Sequence, residues 1–498
     1  MKTDLVNMVF GMKVRQARQQ AGLSLSELAS RCDLSPSYVT EIEKGRKYPK
    51  TDKIMKMAEV LGKSYDELVS IKLAPSLTYL ETILASPLLQ HFPFEEFGVD
   101  VSDLVNVFTR APDKASALLH ALLEIGRQYD MKEEHFLRAA LRSYQEFHEN
   151  YFQDLEDAAA AFVKKYRLNP NPLVELDTLA EIMRAEFGYH LDQERLARHE
   201  ALSGYRCVFV GGARPTLLLN PALQPKQIKF LLARELGYQF LGIKERSYTS
   251  TPDKVDTFQQ VLNDFRASYF AGALIIPRPA ILTDLQQFFQ LNTWSPYRLL
   301  NMLEKFDVTP EMLLYRFSEL IPQYFGLKLH FLRFHHLQND YLLIKRLNMT
   351  RLLLPSGIGL DEHYCRRWLA LRLLADMTTK DNPEQFLDTP LIGVQISEFL
   401  ESRDRYLSFG FARPLALSPS VGSSVVVGFL MTPDLEQTIR FAEDPAIPVS
   451  IINETCERCP LSRDQCAVRA AEPTMLQVET RKMERQAALK QLKAELQS

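Results

Sequence analysis

Residues 231–242 read LLARELGYQFLG, and how this stretch is read decides what the middle of the chain is. Its apolar residues recur at helical spacing, with Glu235 set between Arg234 and Tyr238. A helix that binds zinc puts two histidines one turn apart around such a glutamate. Here the two histidine places hold arginine and tyrosine. The stretch has the frame of a metal-binding helix without its imidazoles.

The flanking sequence supplies the rest of a domain. VELDTLAEIMRAEFGYHL (174–191) reads as a helix, and GYRCVFVGGARPTLLLN (204–220) as two short strands around a turn. PKQIKFLLARELGYQFLG (225–242) is the helix in question, and VLNDFRASYFAGALIIPRPA (261–280) is a further helix that runs to a proline stop. In this order the elements resemble the ImmA/IrrE-type zinc peptidase domain. The resemblance implies metal ligands at Arg234, Tyr238 and Asp264, with Glu235 as general base. A guanidinium stays protonated and carries no lone pair for a metal, so the expectation is the fold without the peptidase chemistry. Glu235 is then expected to form an ion pair with Arg234 or a neighbouring base, or to be solvated on the helix surface.

The chain has 498 residues, a length for three to four domains, and 46% hydrophobic against 24% charged residues is enough apolar surface for ordered cores. A net charge of −3 identifies no partner, because acidic domains mask a small basic module. Asp4 and Asn7 interrupt any leader-like apolar region, and no run approaches the roughly 18 apolar residues of a membrane span. A cytoplasmic protein is expected. Six cysteines in so long a chain do not make a disulfide framework, and three of them cluster.

The first seventy residues are short helices with clear stops. Ser24 and Glu27 form a capping-box pair, Ser35 precedes Pro36 as N-cap and first helical residue, and Gly22 and Gly45 close helices. Val14 and Ala17 are expected to point inward, and Lys13, Arg15 and Arg18 outward. Two short helices joined by a tight turn, followed by EKGRKYP, have the form of a helix-turn-helix, with Lys44, Arg46, Lys47 and Lys50 suited to phosphates. RQARQQAGLSLSELA (15–29) and LSPSYVTEIEKGRKYPK (34–50) resemble the Cro-like (XRE) helix-turn-helix family. That resemblance implies a DNA-contacting surface of Ser35, Pro36, Ser37, Tyr38, Glu41, Lys44, Arg46 and Lys47. Bases would be met by Ser35, Ser37, Tyr38 and Glu41, and backbone by Arg46 and Lys47.

Residues 71–165 alternate helical patterns with proline turns, and 135–166 reads as one long amphipathic helix, a spacer or dimer-forming element. His135 and His148 in it are read as surface or packing residues. Beyond 326 the sequence reads as a strand pair turning near Gln338–Asp340, a helix over 361–376, and three strands of a small antiparallel sheet. Residues 475–498 read as a charged amphipathic helix that docks or dimerises.

CERCPLSRDQC sets Cys456, Cys459 and Cys466 at C-x2-C-x6-C spacing, which grips a metal and leaves one position open. Cys365, read as lying on a helix, is the natural fourth ligand, with His363 a weaker alternative. Arg458, Arg463 and Arg469 are expected to offset thiolate charge, and Cys32 and Cys207 to be core residues. Buried apolar cysteines or a labile disulfide remain the alternative reading of the cluster.

The order of these parts resembles the short-chain fatty acyl transcriptional regulators, which control propionate and glyoxylate-pathway genes. The resemblance implies an acyl-CoA effector and, in some members, a [4Fe-4S] cluster held by such cysteines; structural zinc is the alternative. The expected architecture is a mainly α, multidomain chain. An all-α helix-turn-helix module occupies 1–72, a helical spacer or dimerisation region 73–165, and an α+β zincin-like degenerate peptidase domain 166–325. An α+β sensor domain with the cysteines spans 326–472, and a C-terminal amphipathic helix 473–498. The expected function is a homodimeric regulator binding an operator and sensing an acyl-CoA, with no enzymatic activity. The alternative is a zinc metallopeptidase acting on a repressor or stress protein.

Overall fold

The computed structural model describes residues 2–70, 95–98, 132–168, 174–250, 255–352, 354, 362–380 and 383–497. The chain is multidomain and forms two compact units, Met1–Ala140 and Leu141–Ser498. The spacer expected over 73–165 spans that division, and most of it, including SPLLQHFPFEEFGVDVSDLVNVF and KASALLHALLEIGRQYDM, lies outside the described residues.

In the first unit α1 (Lys2–Gln20), α2 (Leu25–Cys32), α3 (Pro36–Glu43), α4 (Thr51–Leu61) and α5 (Tyr65–Val69) surround Val14, Leu28, Val39, Ile42, Ile54 and Met57. The Ser24–Glu27 capping box is present at α2, and Ser35 Oγ accepts from the Tyr38 amide at α3. Arg18 and Lys13, both expected to point outward, bond to neighbouring elements. Arg18 donates to Glu43 Oε1 at 2.6 Å and Oε2 at 2.9 Å, and Lys13 donates to the Glu67 carbonyl at 2.9 Å. The pair ties α1 to the end of α3 because Glu43, buried on the inner side of α3, needs a cation. Helix α1 approaches α3 so closely at Gly11 that a β-carbon there would lie 2.2 Å from the Ile42 carbonyl oxygen.

The second unit contains two sheets. The region read as one helix over 135–166 is two, α6 (Glu133–Phe147) and α7 (Gln153–Lys165). Glu149 and Asn150 take left-handed conformations between them, and the Asn150 side chain bonds Gln145 and Ser318. His148 packs among Tyr144, Phe147 and Phe152. A small sheet of order β1-β3-β2-β4 follows, built from β1 (His190–Asp192), β2 (Cys207–Val210), β3 (Thr216–Leu219) and β4 (Thr249–Ser250). It accompanies α8 (Leu176–Phe187), α9 (Pro225–Phe240) and α10 (Phe258–Ile275). Helices α11 (Arg278–Phe289), α12 (Pro296–Phe306) and α13 (Pro310–Phe325) come next.

The larger sheet has the order β10-β7-β8-β9-β5-β6, from β5 (Leu329–Leu337), β6 (Asp340–Asn348), β7 (Leu391–Phe399), β8 (Arg405–Leu415), β9 (Ser418–Leu430) and β10 (Val449–Ile452). The expected strand pair and the three later strands join one sheet, and it is mixed rather than antiparallel because β10 pairs with β7 in parallel. Helix α14 (Leu369–Thr378) packs on one face and α13 on the other. The helix expected over 361–376 starts only at Leu369, since Tyr364 bridges Thr455 and the chain then turns, the Trp368 amide returning to the Cys365 carbonyl at 3.0 Å. Cys365 therefore lies ahead of the helix. Short α15 (Pro433–Thr438) precedes β10, and α16 (Thr474–Gln497) ends the chain. No described helix is long and apolar enough to cross a membrane.

Replacing Gly11 by Ala is expected to destabilise the first unit by about 2 kcal/mol, because the contact is with backbone that cannot rotate away. Gly22→Ala, whose left-handed residue (φ +67°) faces open space, should cost about 1 kcal/mol through conformation alone. Equal losses in denaturant unfolding of the full chain would contradict the close approach.

Candidate functional site

In the first unit, Val39 and Ile42 hold α3 in the core and leave Ser35, Pro36 and Ser37 exposed at its start. Gly45 (φ +71°) turns the chain after α3, and the amides of Arg46 and Lys47 return to the Glu41 carbonyl at 2.9 and 3.2 Å. Exposed Arg46 and Lys47 are thereby fixed beside the helix, with Arg46 3.6 Å from the Glu41 carboxylate. Tyr38 carries two ammonium groups over its ring, Lys47 at 5.6 Å and Lys53 at 4.7 Å. Lys53 comes from α4 and was not expected from the sequence. The structure thus gathers the predicted surface into one polar, basic face.

The second site is built on α9. Gly237 lets α10 come close, since a β-carbon there would meet the Ala267 carbonyl oxygen at 3.1 Å and the Phe270 ring at 3.0 Å. That approach sets Asp264 beside Tyr238. The Tyr238 hydroxyl donates to Asp264 Oδ1 at 2.5 Å, and Ser247 gives the same carboxylate its amide (3.2 Å) and its hydroxyl (2.5 Å). Burial raises the Tyr238 phenol far above its usual range, so it is a neutral donor.

Glu235 is 1% exposed, so it is not solvated on the helix surface, and the base it pairs with is not Arg234. Its partner is Arg246, which engages both carboxylate oxygens, the second at 2.7 Å. The Arg246 guanidinium lies 3.8 Å from the Tyr238 ring centroid and 4.2 Å from that of Phe209. Tyr189 also donates to Glu235 at 2.7 Å. Arg234 turns the other way, toward the Cys207 sulfur at 3.6 Å, and its buried Nε has no hydrogen-bond partner among the described residues.

Beside Arg234 lies a group that no sequence pattern reveals. Arg206, Arg333 and Arg413 come from three different segments and face one carboxylate, Glu311, in the first turn of α13. Arg413 donates to Glu311 Oε2 at 2.8 Å, and Arg333 lies 3.8 Å from Oε1 while donating to Ser423 at 3.2 Å. Burial lowers the pKa of Arg206 and of Arg333, and neighbouring arginines lower both further. Burial alone would raise Glu311, yet Arg413 and Arg333 hold it well below the carboxylate range. His335 is pushed down to about 4 by burial and then by Arg333, and its Nε2 is buried without a partner. The only sequence cue is an arginine at an inward strand position, as in LHFLRFHHL.

The four predicted cysteines are all buried free thiols. The Tyr364–Thr455 bridge brings two chain segments side by side, the Cys365 amide donating to the Glu454 carbonyl (3.2 Å) and the Cys456 amide to that of His363 (2.9 Å). Cys459 closes a turn onto the Cys456 carbonyl at 3.2 Å, and the Ala470 amide points at the Cys456 sulfur at 3.3 Å. Burial, then the neighbouring Cys456 and Cys459, pushes the Cys365 thiol up to about 11, despite two backbone hydrogen bonds that favour its thiolate. Cys365 thus lies beside Cys456 and Cys459. Among the described residues, no three histidine, cysteine or carboxylate side chains stand ready to hold one metal ion.

The arginines expected to offset thiolate charge do other work. Arg458 pairs with Glu362 and Glu454, Arg463 with Glu472, and Arg469 donates to the Cys456 and Cys459 carbonyls. His363 is held by Glu457 at 2.7 Å.

Gly237→Ala is expected to force α9 and α10 apart and to cost about 2 kcal/mol. Gly272→Ala on α10, with its nearest neighbour at 3.8 Å, should be neutral or slightly stabilising. Thermal unfolding of the two variants checks the contrast.

Residues 14–68 match the helix-turn-helix family, and residues 186–318 match the IrrE N-terminal-like domain. The control protein C.BamHI of Bacillus amyloliquefaciens is 38% identical over 61 residues, covering 12% of this chain and 75% of that protein. A solved Mycobacterium tuberculosis transcriptional regulator aligns with a TM-score of 0.46 and 19% identity, over 66% of this chain and 92% of that one. Through its N-terminal segment, the chain belongs to the XRE-type helix-turn-helix family, and it carries an IrrE-like domain behind that segment.

Proposed function

We propose that the protein is a cytoplasmic transcriptional regulator that binds an operator as a homodimer and senses an acyl-CoA in its second unit. Its targets would be fatty-acid, propionate or glyoxylate-type genes. The DNA-binding half is supported by the helix-turn-helix match and by the basic face around α3. The observation that carries the sensing half is the arginine group: the buried or half-buried guanidiniums of Arg206, Arg333 and Arg413 face a single carboxylate. Unbalanced buried charge asks for an anionic ligand, and the phosphates of coenzyme A supply several negative charges that guanidinium forks recognise in pairs. The short acyl chain comes from the family resemblance.

In this reading the second unit has no peptidase activity. The IrrE-like match favours the alternative of a zinc metallopeptidase acting on a repressor or stress protein. Against it, a guanidinium and a neutral phenol occupy its histidine positions. The cysteine corner, with Cys365, Cys456, Cys459 and Cys466, would hold a [4Fe-4S] cluster, or structural zinc on the same donors. Such a group, bound by thiolates, would supply the charge that keeps buried sulfurs ionised.

Deleting residues 1–70 is expected to abolish DNA binding, and operator affinity at full strength in the truncated chain would refute the assignment. Arg46→Ala should weaken binding to all sequences alike and lower the salt slope by about one, whereas Tyr38→Ala should change which sequence is preferred.

Calorimetric titration with propionyl-CoA, acetyl-CoA and free propionate tests the sensor. Arg206→Ala and Arg333→Ala should each weaken the CoA thioesters at least about tenfold, with free propionate not bound. Unchanged affinity in both variants would reject the arginine group as the site. Anaerobic purification is expected to give a brown chromophore that Cys459→Ser removes. One zinc per colourless chain would select the structural ion instead.

A further inference from the structure

The IrrE-like domain implies a zinc ion, and the side chains at its site do not fit one. Arg234 offers only donors, and Tyr238 is a neutral phenol whose hydroxyl donates a hydrogen bond to Asp264. Asp264 accepts on both oxygens, and both oxygens of Glu235 are taken by Arg246. Two carboxylates and two guanidiniums balance there, so a divalent cation would enter a site that is already neutral.

We infer that Arg246 is the built-in cation of this domain: its guanidinium supplies, on α9, the positive charge that a bound metal would supply, its neighbour Ser247 reaches α10, and the site is closed to divalent ions. Arg246 is 7% exposed and lies on the loop after α9. It grips α9 through Glu235, lies over Tyr238 of the same helix, and lies over Phe209 of β2 on its other contact. Its neighbour Ser247 ties α10 through Asp264. Two helices and a strand are thus fastened around one positive charge carried by the chain itself. An arginine on a flexible stem does this without the geometry that four-coordinate zinc demands, and it is not lost to chelators. A guanidinium lying on aromatic faces gains further attraction from their rings.

This inference rests on the reading of the domain as non-catalytic but adds a separate claim, that Arg246 itself excludes the ion. Zinc content and cobalt(II) absorption of the full chain separate the two. Cobalt on imidazole and carboxylate gives weak visible bands, while cobalt on the cysteines gives strong near-ultraviolet thiolate charge transfer. R234H/Y238H, which restores the imidazoles but keeps Arg246, is expected to bind no more ion than wild type. R234H/Y238H/R246A is expected to gain one zinc per chain on Asp264 and the new histidines. Equal gain in the double and triple variants would overturn the exclusion while leaving the domain non-catalytic. Zinc in the wild-type chain that is lost on Asp264→Ala would overturn both readings.

A double-mutant cycle decides the matter if the triple variant does not fold or takes no ion. Arg246→Met alone strands a buried carboxylate and should lower Tm by roughly 10 °C. Glu235→Gln with Arg246→Met should recover at least half of that loss. A double variant no more stable than Arg246→Met would show that Arg246 is not the counter-cation, and the inference would fall.

Discussion

A carboxylate sealed inside a helical domain must be neutralised, and in the second unit the carboxylate is Glu235 and its partner is Arg246. Leaving either group alone would cost several kcal/mol. The pair also fixes a path for the chain. Gly242, left-handed at φ +65°, ends α9, and the loop then returns Arg246 beneath the helix it has just left. Ser247 follows and meets Asp264, and Thr249–Ser250 pairs with β2 at Cys207 and Val208. Strand β2 begins next to Arg206, so one ion pair places part of the arginine group as well.

The larger sheet separates two kinds of chemistry by strand alternation alone. Along β5, Leu332 and Phe334 join the apolar core beneath α14, while Arg333 and His335 turn to the opposite face, toward Glu311 of α13. On β8, Ala412 faces the core and Arg413 the carboxylate. The face under α14 is apolar and leads to the cysteines through Trp368, whose indole donates to the Asn453 carbonyl at 2.7 Å. A slip of one residue in β5 would exchange the two faces, which is why the register is strongly specified.

Local signals in the sequence were readable wherever the partner lay within one turn. The capping box of Ser24 with Glu27, the Ser35 cap, Gly22 and Gly45, and the helix containing Glu235 all follow from short-range patterns. Arg246 was not, because it sits eleven residues from Glu235 on a loop, with no periodicity linking them. The arginine group was less readable still, its three guanidiniums being drawn from separate segments by tertiary packing. The break between α6 and α7 was missed because Asn150 trades helical backbone for bonds to Gln145 and to Ser318, which is 168 positions away. Cys365 lost its expected helix to a bridge with a strand-like partner that only the fold brings near.

The parallel strand β10 imposes an order of assembly. His363 and Glu457 are 94 positions apart, and the bridge beside them forms only when the chain has laid down the sheet and returned along β7. Closing so long a loop is slow relative to local hairpins such as β5–β6. Cys456 and Cys459 leave the ribosome together, whereas Cys365 joins them only once the sheet exists. Until the sheet is complete, Cys456 and Cys459 stand as a thiol pair without Cys365 beside them.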